Sequence, residues 1–204
     1  MVVAAALNLL LYLYAGQQDI QIGILTANRG RVETNKAIGH FMNTLVLKSH
    51  IAAGVTFKEL LDQTRRTALT AYAHQELPFE QLARALKTDY GIERDALFQV
   101  LLVYNGPSQT VDLLGLTFAS VNTDEGRILR DLAFTAFDMI VSFAESSTKL
   151  TGSVNYRNDP SFRRTMNSMF HIFCLLIESF VSRPNHVFSR KDFNVSGGYL
   201  WHSK

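Results

Sequence analysis

Ala71-Tyr-Ala-His-Gln-Glu-Leu-Pro-Phe-Glu-Gln-Leu82 is where two helical patterns meet, and the reading of that join sets the fold. Upstream of it, Phe57, Leu60, Leu61, Ala68, Ala71 and Tyr72 recur at intervals of three and four, the rhythm of a helix with one buried face. Thr56 and Glu59 have the spacing of a capping box, which places the helix start at residue 56. The apolar face ends near His74. Pro78 cannot continue that helix but suits the first turn of another, so Phe79, Leu82, Ala83 and Leu86 predict a short second helix after a bend. Strand patterns flank the pair. Leu45, Val46 and Leu47 give strand character to 41–47, and the predominantly apolar run 97–104 reads as a strand covered on both faces. A strand, two helices and another strand predict a crossover with parallel pairing, hence an α/β domain with a mixed sheet flanked by helices.

The remaining pattern extends this core in both directions. Residues 2–15 are apolar on nearly all sides and predict a buried helix that stops at Gly16. Ile20, Ile22 and Ile24 alternate with smaller or polar residues, a period-two strand, and 26–36 is polar and Gly-containing, a loop. Leu116 to Val121 is a modest strand candidate, and 122–130 a polar connection. The segments 137–143 and 149–156 predict an antiparallel hairpin. Asp159 and Pro160 read as N-cap and first residue of a last helix, with Phe162, Met166, Met169, Phe170, Phe173, Ile177 and Phe180 as its buried face and Pro184 as its stop. The domain is therefore expected to span 1–184, with 185–204 a tail or linker.

Composition excludes several classes of function. Of 204 residues, 47% are hydrophobic and 19% charged, with 14 Phe and 7 Tyr, a core-building composition. Lys+Arg 20 against Asp+Glu 18 leaves +2, too little for a nucleic-acid footprint. The apolar start is interrupted by Asn8 and ended by Gly16, so it is too short to cross a membrane, and it has no basic residues before it to make a secretory signal. A cytoplasmic home is the expectation. The one cysteine, Cys174, lies in an apolar helical run and reads as a packed, inert thiol.

Six histidines are the natural place to seek acid–base or metal chemistry, and they form no set: there is no His-His pair, HExxH, phosphate-binding loop or GxSxG. No metal or directly bound cofactor is expected. His74 lies at the bend beside Gln75 and Glu76, where it reads as a partner for backbone left free by the break at Pro78. Asn43 could present its amide to a ligand's peptide groups or satisfy local backbone. Arg65 and Arg66 read as a solvated pair.

Ordered motifs then carry a resemblance over almost the whole chain. Tyr72-Ala-His-Gln-Glu-Leu-Pro-Phe-Glu80 resembles "Y-A-H-Q-D-L-P-F-E", and Ile38-Gly-His-Phe-Met-Asn-Thr44 resembles "I-G-x-F-V-N-T" with Met42 in place of Val. Gly23 to Arg29 resembles "G-T-P-x-A-N-R", and 98–105, 137–140 and 150–156 resemble the strands that follow. Before Phe98, Asp95-Ala96-Leu97 stands where the pattern has Asn-Pro. The family is the nonribosomal peptide synthetase condensation domain, of the chloramphenicol acetyltransferase-like superfamily, and the likeness is to its C-terminal half. It implies one lobe of a two-lobed, V-shaped fold that forms amide bonds between aminoacyl thioesters carried on the phosphopantetheine of carrier proteins. The family's H-H-x-x-x-D-G belongs to the other lobe, so no catalytic residue is assigned and the chain alone is expected to be inactive. Implied partners are the missing N-terminal lobe and peptidyl or acyl carrier proteins, with self-association through the exposed lobe face. Asn43, Thr44, His74, Gln75 and Asn105 are implied to lie near the substrate tunnel or the seam, with Thr26 to Phe41 flooring it. A non-catalytic module that docks a carrier protein or complementary lobe stays open. So does a lobe of a related epimerising, cyclising or ester-forming domain.

Overall fold

A computed structural model describes residues 1–35, 37–93, 97–106, 137–145, 148–156 and 160–193. Helix α1 (Val2–Ala15) leads into strand β1 (Asp19–Thr26), a single turn α2 (Val32–Asn35) and strand β2 (Asn43–His50). Helices α3 (Phe57–Ala73) and α4 (Phe79–Tyr90) follow, then strands β3 (Val100–Asn105), β4 (Met139–Glu145) and β5 (Leu150–Tyr156), and helix α5 (Pro160–Ser182). One five-stranded sheet in the order β2-β1-β3-β4-β5 holds them. It is mixed. β1 runs antiparallel to β2 and parallel to β3, β3 parallel to β4, and β4 antiparallel to β5.

Burial follows the side-chain alternation of the strands. Ile20, Ile22 and Ile24 of β1 turn to one face and join α1, α3 and α5 in the main core. Ten residues of α1 are buried, because the helix lies under the sheet with α3 on one flank and α5 on the other. Its one polar interior side chain, Asn8, donates to the Ser49 hydroxyl at 2.8 Å. Gly16 ends the helix at φ 71, a left-handed conformation that glycine adopts without a Cβ penalty, and its N–H reaches the Tyr12 carbonyl. On the opposite face Phe79 and Ala83 of α4 meet Leu97, Phe98 and Leu101 in a second, smaller core. Gly23 is needed there: a Cβ at that position would stand 2.2 Å from the Phe98 ring.

Thr56 and Glu59 form the expected capping box, with the Thr56 hydroxyl accepting from the Glu59 N–H and the Glu59 carboxylate accepting from the Thr56 N–H at 2.8 Å. Several expectations change. The crossover through α3 and α4 does not return β3 to β2; β3 lies parallel beside β1, because β2 is an edge strand that pairs with β1 over eight residues. β2 begins at Asn43, leaving Phe41 and Met42 in the loop, and residues 32–35 of that loop close one helical turn. Pro78 is the N-cap of α4 and not its first helical residue.

On α5 the buried face is Met166, Met169, Ile172, Phe173, Leu176 and Phe180. Phe170 is 45% exposed and Cys174 is exposed as well. The thiol is not core: residues four apart share a helix face, and that face points outward here. Residues 165–182 are long and apolar enough to cross a membrane by length and composition, yet one face of this helix is built into the core. After Pro184 the chain keeps packing. Val187 bridges to Thr56, Phe188 is buried against Phe180, and Arg190–Phe193 forms a 3-10 turn. The strand expected at 116–121, the connection at 122–130, the Asp159 cap and the side chain of Phe162 lie outside the described residues.

Candidate functional site

Three parallel strands, β1, β3 and β4, end on the same edge of the sheet, and β2 starts there. Crevices outside the carboxyl ends of strands are where α/β sheets take ligands. The loop 27–42 and the bend between α3 and α4 both lie at this edge, tied by side chains.

Asn43 is the centre of the tie. Its Nδ2 donates to the carbonyls of Gln75 at 2.8 Å and Leu77 at 2.7 Å, and its Oδ1 accepts from the N–H of Phe79 at 3.0 Å and of Thr44 at 2.9 Å. Pro78 supplies no side-chain cap to α4. Asn43, 36 residues before Phe79 in sequence, takes over that role and also satisfies two carbonyls freed where α3 stops. Gln75 is held from a second side, since Thr26 Oγ1 donates to its Oε1 at 2.6 Å while accepting from the Asn28 N–H at 3.2 Å. Asn28 has φ 49, a left-handed conformation that asparagine tolerates. His74 donates from Nδ1 to the Thr70 carbonyl at 2.9 Å, and the ring is exposed.

Outside this knot, Arg31 and Glu76 pair through two parallel hydrogen bonds at 3.0 and 2.8 Å. Hydrogen bonding from Arg31, with its charge second, holds the Glu76 carboxyl below its usual range. Both side chains are well exposed, so the pair fixes geometry more than it stabilises. Arg29 donates to the carbonyls of Thr34, Ala37 and Gly39 and lies 4.5 Å above the centre of the Phe41 ring.

Beside the knot a cleft of about 600 Å³ crosses the ends of the strands. The first turn of α1 forms one wall, Ala68 and Tyr72 of α3 another, and Leu102, Tyr104 and Leu150 line the side toward the β4–β5 hairpin. Its walls are mainly apolar. At the mouth the Tyr104 hydroxyl donates to the Glu145 carboxylate, and that hydrogen bond, ahead of desolvation, raises the phenol's pKa. Thr64, also in the lining, is buried with a hydroxyl that has no hydrogen-bond partner among the described residues.

The structure therefore brings Asn43, Thr44, His74 and Gln75 together at one point. Asn105 ends β3 on the same edge, in register with Ala144. β1 lies between β2 and β3, which puts Asn105 two strand spacings, about 10 Å, to the side of Asn43. Sequence reasoning missed the Thr26–Gln75 bond, the Arg31–Glu76 pair, the Tyr104–Glu145 contact and the work of Arg29. Thr26, Arg29, Glu76 and Tyr104 lie within stretches that resemble the family, but nothing in those stretches points to their partners. Among the described residues no cluster of three His, Cys, Asp or Glu could hold a metal ion.

The model of the condensation domain family matches residues 1–194. The linear gramicidin synthase of Brevibacillus parabrevis includes a chain that is 38% identical over 175 residues, 85% of this protein and 2% of that one. Tyrocidine synthase 3 of the same organism is 32% identical over 91% of this chain and 3% of its own length. Among solved structures, the condensation domain of the monacolin K polyketide synthase MokA superposes with a TM-score of 0.69 at 21% identity, over 90% of this chain and 41% of that one. A four-domain nonribosomal peptide synthetase bound to AMP and glycine gives 0.67 at 15% identity, over 91% and 15%. The chain thus spans a small part of the curated relatives and about two fifths of a solved condensation domain.

Proposed function

The chain belongs to the condensation domain family, and from that premise we propose that it is the C-terminal lobe of a two-lobed domain of chloramphenicol acetyltransferase-like fold. In this reading the strand-end cleft and the seam beside it form one wall of the channel in which carrier-bound donor and acceptor meet. The acceptor amine attacks the donor thioester carbonyl, the C–N bond forms, the C–S bond breaks, and the departing thiolate takes up the proton. The histidine that handles the amine comes from an H-H-x-x-x-D-G on another stretch of polypeptide, a motif this sequence does not contain.

The observation that carries the reading is a rim of bare apolar side chains at the strand ends. Ile38 is fully exposed, Val32 is 80% exposed, Met42 53% and Leu77 48%. Isolated exposed apolar residues are ordinary, but a group of them on one edge beside an apolar cleft marks an interface. The site residues fit a supporting wall better than a reacting centre. Asn43 is saturated by backbone, and His74 is tied to its own helix. Thr44, Gln75 and Asn105 stand at the edge as positioning groups for the seam.

Substrates then arrive on the phosphopantetheine of carrier proteins, the protein works in the cytoplasm, and the rim supports self-association when the partner lobe is missing. The test is reconstitution with an amino-terminal condensation lobe that carries H-H-x-x-x-D-G. Co-purification of the two lobes, and dipeptidyl product only when both lobes and both loaded carriers are present, is the expected result. Product from this chain alone, or no complex at all, would refute the proposal.

A further inference from the structure

The loop 27–42 has little of its own to hold it in one shape. Residues 30–33 and 37–40 are all exposed. Besides the single helical turn of α2, the internal backbone bonds among its described residues are two turn contacts, from the Thr34 N–H to the Arg31 carbonyl at 3.0 Å and from the Ala37 N–H to the Thr34 carbonyl at 3.3 Å. A segment that buries so little has no means of offsetting its conformational entropy unless side chains tie it down. Arg31 fastens it from outside, to Glu76 of the bend between α3 and α4, and Arg29 gathers the loop from within. Through Nη1 it donates to the carbonyls of Thr34 and Ala37, the latter at 2.9 Å, and through Nη2 to that of Gly39 at 3.1 Å. One planar fork gathers three points of the loop, and its stacking on Phe41 pins the place where the chain re-enters the sheet. The base of the fork is fixed in turn, since Asn28 is bonded to Thr26, and Thr26 to Gln75.

We propose that Arg29 is the positioning residue of the seam: it holds the loop in the shape that sets Ile38 and Met42 on the rim, and so controls the fit of the partner lobe. This rests on the two-lobe reading above. Lysine cannot substitute, because a single ammonium neither spans three separated carbonyls nor stacks flat on a ring.

Two measurements on Arg29→Lys, with Phe41→Leu as a second variant that keeps the guanidinium, decide the matter. First, a glutamate-specific protease is applied to the folded chain, and cleavage after Glu33 is compared by mass spectrometry with cleavage after Glu80 in α4. Arg29→Lys should speed the first on the order of tenfold and leave the second unchanged, the effect of losing about one net charge-assisted hydrogen bond. Phe41→Leu should move it in the same direction by less. Equal rates in variants and wild type overturn the proposal. Second, binding to the amino-terminal lobe is measured by calorimetry, where Arg29→Lys should weaken a wild-type complex on the order of tenfold. If wild type and variant bind equally, the positioning role is wrong while the two-lobe reading stands. If wild type does not bind, the two-lobe reading fails and the seam role falls with it.

Discussion

Single side chains at the strand ends act mainly on backbone, and this makes their roles testable without an activity assay. Asn43→Ala removes the partners of two carbonyls and of the Phe79 N–H at the join of α3 and α4, and the bonds to Gln75 and Phe79 are half-buried. A loss of about 2 kcal/mol in urea unfolding is expected, from unmade hydrogen bonds that the bend cannot replace. Asn43→Asp is the sharper variant. It keeps the acceptor for Phe79 but sets a carboxylate oxygen against the Gln75 and Leu77 carbonyls, so it should be no more stable than alanine at neutral pH; wild-type stability would show that the amide donors are idle. Gly23→Ala makes the opposite kind of error. Its methyl would stand 2.2 Å from a Phe98 ring that is itself 3% exposed and stacked on Phe137. Overpacking of this kind costs about 1–3 kcal/mol, and Phe98→Leu in the same chain should recover part of it in the same unfolding measurement.

At the level of the element, the parts legible in the sequence were those whose cause is local. The capping box, the stop at Gly16 and the hairpin of β4 and β5 each depend on residues a few positions apart, and each appears in the structure. Thr56→Ala should lower stability by about 1 kcal/mol, read from the thermal midpoint. Its pH behaviour follows from Glu59, whose carboxyl is held below its ordinary value of 4.5 by the Thr56 N–H first and the Thr56 hydroxyl second. A depressed folded-state pKa means that the stabilisation is present above the unfolded value and is lost as the pH falls through the folded one. Glu59→Gln should therefore have a lower thermal midpoint than wild type at pH 7, and the two should converge only after the pH has fallen below the ordinary glutamate value of 4.5. Convergence above that value would contradict the capping role. What the sequence could not reveal was set by distant partners. Nothing local in 97–104 says that β3 seats beside β1, since the same apolar run would satisfy either neighbour. α5 misled for a related reason: with apolar residues on more than one side, its period did not show that Phe170 and Cys174 face out while Ile172 and Leu176 face in.

For the molecule as a whole, the site follows the same division. The pattern around 43 and 74–80 marked the two segments, and their meeting at one edge depends on a β1–β2 register that runs from Asp19↔His50 to Thr26↔Asn43. Arg29 escaped because its partners are carbonyls, which leave no trace in the sequence. The rim escaped because an exposed Ile38 and a buried one read alike. Its apolar side chains contribute nothing to the domain's own core, and this separates folding from assembly. Replacing Ile38 and Leu77 together with glutamate should change the unfolding free energy by less than about 0.5 kcal/mol, because the hydrogen bonds at both places are made by backbone and the exposed side chains join neither core. If the isolated chain self-associates as proposed, the same double variant should lose that concentration-dependent association in sedimentation velocity, because two charges in a bare apolar rim oppose its burial against any apolar partner. If the variant unfolds more readily than wild type, the rim belongs to the domain's own packing. If it associates as strongly, the contact between copies lies elsewhere, with the outward face of α5 around Phe170 and Val181 the next surface to charge.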